Sequence, residues 1–258
     1  MSSQPFVPVP GAAAAPKYPW QEFLDVVDAE APPYIQHFNP NIVPAMSRPP
    51  KVLLDVGCSS GNLGAHVKAT FPGCRTIGIE PNRATADLAA PRLDQVLCGR
   101  FEELDLEGSG ILKGTIDTVV MADVLEHMYN PWRVMVDIKP YLTVDAQMIL
   151  SIPNTRHLGL MRDLVDNGIW PYVERGLLDI THIRFFTLKE ILRFLQETGY
   201  AVERVNHIMD PQLADFYSAQ QHNPEINIRA GRFCLERVTP KELAELCTWQ
   251  FLVRARPL

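Results

Sequence analysis

One stretch constrains this chain more than any other: VLLDVGCSSGNLG, residues 52–64. An apolar run of strand length ends at Asp55 and breaks into glycines spaced G-x-x-x-G-x-x-G. It then enters helical periodicity over roughly Asn62–Thr70. A strand apolar along its whole length is covered on both faces, and that is the condition of a parallel sheet wrapped by helices. The following text repeats the alternation. CRTIGIE, DQVLCG, TIDTVVMAD and AQMILSIPN read as strands, and NRATADLAA and PWRVMVDIKPYL as helices between them. The pattern predicts an α/β fold, a Rossmann-like, mostly parallel seven-stranded sheet flanked by helices. AVERVNHI is a later strand. RFCLERV and the final TWQFLVRA are expected to close the sheet, the last strand antiparallel.

With 258 residues, 47% hydrophobic and 21% charged, the chain has ordinary globular composition and enough length for a full core. Collagenous, disordered and disulfide-scaffold proteins are excluded. Eleven of the 22 prolines fall in the first 50 residues. Residues 1–16, rich in Pro and Ala, are expected to form a disordered tail without the features of a secretory signal. Residues 17–50 form a helical cap, with Trp20, Phe23, Leu24 and Val27 at helical spacing. Residues 51–258 form the main domain. Alternation is interrupted around 155–187 and again around 209–247, two insertions expected on the substrate side. Between them LKEILRFLQETG is an amphipathic helix stopped at Gly199.

The net charge of −6 and the lack of a basic stripe argue against a nucleic-acid partner. No run approaches the roughly 18 apolar residues of a membrane span. Five cysteines, an odd number with no C-x-x-C, read as reduced thiols in a cytoplasmic protein. No zinc-type spacing is present, so no metal is expected. An oligomer is not indicated.

The glycine turn suits a nucleotide-like ligand, and two acids narrow the choice. Asp55 stands just before the turn, where a pyrophosphate would be repelled. A carboxylate there suits a ligand carrying an ammonium and a sulfonium, which points to S-adenosylmethionine (SAM). Glu80 ends the second strand, where an acid takes both hydroxyls of a ribose. The bland alternative is that Glu80 caps the next helix and Asp55 is a satisfied strand-end carboxylate.

At this point the chain resembles the class I SAM-dependent methyltransferases over about residues 50–205. DVGCSSG is similar to the family's first motif, with Ser59 at its middle glycine, and GIE to its second. DTVVMADVLEHM looks like the fourth-strand motif. SIPNTRHL and GLLDITHIRFFT resemble a bacterial subgroup associated with glycan and sugar biosynthesis. The resemblance implies a SAM site at Asp55, Gly57, Cys58, Ser59, Gly61, Glu80, Pro81, Phe101, Ala122 and Asp123. Where the subgroup has Gly-Asp after the third strand, this chain has Gly99-Arg100, leaving the backbone at Phe101 for the adenine amine. Tyr34 is a candidate lid aromatic over SAM.

Methyl transfer needs the acceptor positioned and its proton removed, and histidine is the side chain suited to the second task. Two histidines fall where the acceptor belongs: His127 after the fourth strand and His182 in DITHIRFF. His182 is the first choice as base. Asp179 and Arg184 are candidate substrate contacts, Arg184 for an anionic group. The bland alternatives are a loop-fixing His127, a His182 that orients the loop through Asp179, and a surface ion pair for Arg184. The leading expectation is methyl transfer to a hydroxyl of a small sugar-like or glycan-related molecule. An N-methyltransferase, a nicotinamide oxidoreductase and a non-catalytic scaffold stay as alternatives.

Overall fold

A computed structural model describes residues 37–258. The expected tail, the helical spacing of Trp20 to Val27 and Tyr34 all lie outside the described residues. The first described elements are a short helix, Ile42–Ala45, and the strand β1, Val52–Val56. Then come β2 (Arg75–Glu80), β3 (Gln95–Cys98), β4 (Ile116–Ala122) and β5 (Leu142–Pro153). Helices Asn62–Thr70, Arg83–Ala89 and Pro131–Asp137 make the crossovers. The sheet has seven strands in the order β3-β2-β1-β4-β5-β9-β6, where β6 is Tyr200–Met209 and β9 is Thr248–Pro257. The first five run parallel, and β9 is antiparallel to both its neighbours.

The strands read as apolar runs because both faces are covered. Leu54 and Val56 face one cluster, with Ile77, Val119, Met148 and Val253. Leu53 faces the other, with Val67, Val120, Ile149, Leu252 and Ile42 of the first short helix. Helix Leu188–Glu197 puts Leu188, Ile191, Phe194 and Leu195 into the first cluster. Full burial of such a side chain is worth about 1.5–3 kcal/mol. The Thr187 side chain caps its start, and Gly199, at φ +73°, follows its end.

One sequence expectation is corrected. RFCLERV (β8, Phe233–Val238) does not join the sheet. It pairs with β7 (Ile226–Ala230) in a separate two-stranded hairpin. The hairpin packs with helix Pro240–Leu246 over its own cluster of Ile228, Phe233, Val238, Leu243 and Leu246. The seventh place in the sheet goes to AVERVNHI, at the edge beside β9. Period-two patterning identifies a strand but does not name its partner. Among the described residues no helix is long and apolar enough to cross a membrane.

Candidate active site

The C-terminal ends of β1, β2 and β4 open into one cleft of about 840 Å³. Its first wall is the glycine turn. The N–H groups of Gly57 and Cys58 both donate to the Ile79 carbonyl, at 2.8 and 3.0 Å. This folds the turn across the end of β2. Gly57 has φ +74°, and a Cβ there would lie 2.5 Å from Val124 Cγ2. Ser59, at φ +49°, donates its N–H to Glu80 Oε2 at 3.0 Å. Glu80 Oε1 accepts the Asn82 N–H at 2.9 Å. The Glu80 carboxylate therefore ties the turn to the entry of helix Arg83–Ala89, and the side chain of Asn82 makes the cap itself.

Gly61 does not line the cleft. A Cβ on it would press on Ala89 and Leu93 at 3.2 Å, so it serves helix packing. Asp55 is 3% exposed. Burial, then the charge of Glu80, pushes its carboxyl up to about 7. Burial raises Glu80 as well, and its two backbone N–H partners pull it back. Among the described residues the buried Ser59 hydroxyl has no hydrogen-bond partner. Such a wall gains from a cationic ligand with hydroxyls to share.

Pro81, Arg100, Phe101 and Ala122 continue the cleft wall. Asp123, also lining it, stands at φ +56°. Its Oδ1 accepts from Ser151 Oγ at 3.1 Å and Gln250 Nε2 at 2.7 Å, which locks β4, β5 and β9 together. Burial raises its carboxyl to about 6.

The opposite end is built by two segments distant in sequence. After β4 the chain makes a tight turn, Leu125–His127. The Glu126 carbonyl accepts the N–H groups of Ile183 and Arg184 at 2.9 and 3.0 Å. That clamp brings His182 against His127, with ring centroids 4.7 Å apart at 73°. His182 is buried and His127 lies exposed at the cleft mouth. The His182 Nδ1 faces the Leu177 carbonyl at 3.2 Å. A carbonyl only accepts, so Nδ1 carries the proton and Nε2 the lone pair.

The His127 Nδ1 lies 3.0 Å from Thr181 Oγ1 and 3.3 Å from Thr181 O. Thr181 gives its hydroxyl proton to Asp179 Oδ1 at 2.6 Å. Nδ1 of His127 must therefore donate, and its Nε2 is also bare. The surrounding protein desolvates both imidazoles and lowers them, His127 in spite of the edge it shows to solvent and further through the charge of His182. Beside them lies Glu126, 1% exposed, with neither carboxylate oxygen hydrogen-bonded among the described residues. Its Oε1 is 3.9 Å from His182 Nε2. Burial pushes this carboxyl far above the usual range, and the charges of Asp123 and Asp179 add to the shift.

Residues 29–205, more than half of the chain, match the family described as a methyltransferase domain. The chain belongs to that methyltransferase family. A Streptomyces fradiae protein of 37.1 kDa encoded in transposon TN4556 is 26% identical over 190 residues, 72% of this chain and 54% of that protein. The mitochondrial ubiquinone biosynthesis O-methyltransferase of Schizosaccharomyces pombe is 25% identical over 162 residues, 61% of this chain and 58% of that enzyme. The methyltransferase chain thus spans a little over half the length of these curated relatives. A SAM-dependent methyltransferase from Aquifex aeolicus superposes with a TM-score of 0.54 at 13% identity, covering 92% of this chain and 98% of that one. At that identity the likeness shows the fold. The cofactor of this methyltransferase fold is SAM, and the acidic, partly unsatisfied turn fits it.

The structure gathers most of the sequence-predicted residues into the cleft and leaves two of the described ones out. Asp55, Gly57, Cys58, Ser59, Glu80, Pro81, Phe101, Ala122, Asp123, His127, Asp179 and His182 line it. Gly61 and Arg184 do not. The Arg184 guanidinium donates to the carbonyls of Ile183 and Tyr129 and sits 5.3 Å from the centre of the Tyr129 ring. Tyr34 falls outside the described residues. Asp179 orients His127 through Thr181, where the sequence pointed to substrate contact or to His182. Sequence reasoning missed Glu126, whose signal was a second acid, three positions after Asp123, inside the apolar run VVMADVLEHM. It also missed Arg175, inside the first insertion, and Trp249, just after the second, both of which line the cleft.

Proposed function

We propose that this protein is a SAM-dependent methyltransferase acting on a hydroxyl of a small, polar, sugar-like or glycan-related acceptor in the cytoplasm. The observation that carries the reading is one continuous cleft with two unlike ends. One end is a buried acidic turn, and the other holds two imidazoles with bare Nε2 atoms beside a carboxyl group. Asp55 would meet the ammonium of SAM. Glu80, keeping its bonds to Ser59 and Asn82, would use its remaining lone pairs for the ribose hydroxyls. SAM supplies an electrophilic methyl on a good leaving group, so the protein's tasks are alignment and proton removal.

A hydroxyl must lose its proton as it attacks, whereas an amine arriving unprotonated need not be deprotonated first. The Glu126–His127–His182 cluster is the proton-removing group, acting as a unit rather than through His182 alone. Its depressed imidazoles stay neutral at neutral pH, with their lone pairs available. The Schizosaccharomyces pombe relative is named for O-methyl transfer, which supports a hydroxyl acceptor. The sugar-like class rests on the resemblance of SIPNTRHL and GLLDITHIRFFT to the glycan-associated subgroup. Five unpaired cysteines support a reducing compartment.

The test is calorimetry with SAM, followed by mass-spectrometric detection of S-adenosylhomocysteine and methylated product across nucleotide sugars and glycan fragments. Binding of SAM and methylation of a hydroxyl are expected. No SAM binding by the folded protein overturns the proposal, and methylation confined to amines overturns the hydroxyl assignment.

A further inference from the structure

We infer that Glu126, His127 and His182 form a binding site for one divalent first-row transition cation, of the Zn2+ or Co2+ kind, at the acceptor end of the cleft. The inference deepens the methyltransferase reading and, for its role in the reaction, rests on it. Four observations carry it. First, one carboxylate oxygen and one nitrogen from each histidine lie within 4.8 Å of one another. Ligands about 2.0–2.2 Å from such a cation stand roughly 3.0–3.5 Å apart. The required closure is about an ångström, and His127, exposed at the mouth, can turn toward the pair.

Second, the tautomers are already those of metal ligands. Both Nδ1 atoms donate to oxygens, His182 to Leu177 O and His127 to Thr181, leaving both Nε2 lone pairs bare. Metal-bound histidines are held in this way, with the far ring nitrogen donating to a carbonyl or a carboxylate. Here His127 reaches the carboxylate of Asp179 through the Thr181 hydroxyl.

Third, Glu126 is 1% exposed and both its oxygens lack hydrogen bonds among the described residues. A buried, unpartnered carboxylate is costly to hold ionised and otherwise stays protonated. A cation removes that cost. Fourth, the donor set is two imidazoles and one carboxylate, which suits zinc, cobalt or iron rather than the all-oxygen shells of magnesium and calcium. The sequence showed no metal spacing because His182 lies 55 positions beyond His127.

In the reaction, the cation would take the acceptor hydroxyl at an open coordination position and lower its pKa. The oxygen–hydrogen bond breaks and the proton leaves to solvent at the cleft mouth, so the three side chains take their proton-removing role through the cation they hold, their Nε2 lone pairs acting as ligands rather than as free bases. The oxygen pair then forms the bond to the methyl carbon as the carbon–sulfur bond breaks.

The experiment uses the full chain, stripped with a chelator and titrated with Co2+ alone. Visible ligand-field absorption reports coordination and metal analysis after dialysis reports stoichiometry. About one equivalent is expected in the wild type and in a His222→Ala control on the exposed surface. Glu126→Gln and His127→Ala should each lose at least about tenfold in Co2+ affinity. His127→Ala, at an exposed position, keeps the test valid if the buried substitution unfolds the protein. A wild type that takes up no Co2+, or a folded Glu126→Gln and a folded His127→Ala that both bind it as the wild type does, overturns the inference. SAM binding is measured separately on the same samples. Its absence would sink the methyltransferase reading while leaving the metal result standing.

Discussion

The two ends of the cleft are made in different ways. The turn end is local. Asp55, Gly57, Cys58 and Ser59 are consecutive or nearly so, and Glu80 is delivered by the neighbouring strand in fixed register, Val56 opposite Ile79. The acceptor end is assembled. His127 follows β4, whereas His182 arrives on a segment with little regular structure, held by two N–H groups on the carbonyl of Glu126. A ladder of backbone hydrogen bonds positions the first, and a few side-chain and carbonyl contacts position the second. The cofactor end should therefore respond to changes in backbone conformation, and the acceptor end to changes in single side chains.

The largest effect that would break this comparison is Gly57→Val. The substitution puts a β-branched residue at φ +74° with its Cβ against Val124. SAM binding is expected to vanish by calorimetry, with or without loss of fold by circular dichroism. Wild-type affinity in a folded variant would show that the turn is not the cofactor wall.

Next come His127→Ala and His182→Ala, each expected to lower kcat by about 10²–10⁴-fold while SAM affinity changes only a few-fold. A large loss in one and full activity in the other would show a single base rather than a unit.

Asp55→Ala should weaken SAM binding by roughly 10- to 150-fold, the worth of one charge-assisted contact of about 1.5–3 kcal/mol. Unchanged affinity would detach Asp55 from the cofactor.

A smaller, pH-dependent effect sharpens the same point. The folded Asp55 carboxyl sits at about 7, above its unfolded value near 3.8. Between those values the native state holds the proton that the unfolded chain releases. Its contribution to stability is therefore present at low pH and lost as pH rises toward 7. In the cofactor-free protein, Asp55→Asn removes that loss. Its melting temperature should gain on the wild type by several degrees between pH 5 and pH 8, on the order of 2–4 kcal/mol. Parallel curves over that range would contradict a buried, protonated Asp55.

The smallest effect is Arg184→Ala. Its guanidinium is engaged with the Tyr129 carbonyl and ring and does not itself line the cleft. The change should leave kcat/KM within about twofold and cost less than about 1 kcal/mol in denaturant unfolding. A large rise in KM would restore Arg184 as a substrate contact.

The sequence by itself determined the parallel sheet, the glycine turn and the acids at two strand ends. It also determined the helices with clear caps, such as Leu188–Glu197 after Thr187 and Pro240–Leu246 after Thr239. These follow from periodicity, backbone conformation and capping, interactions that act within a few residues or between strands in fixed register. Tertiary structure alone decided that RFCLERV leaves the sheet for its own hairpin, because an apolar pattern does not specify which edge it will pair with. It also separated the two glycines, placing Gly57 at the cleft and Gly61 against Ala89 and Leu93. And it alone set His182 beside His127 and Glu126. The desolvation that shifts these three groups comes from packing between segments 55 positions apart, and no local pattern encodes that burial.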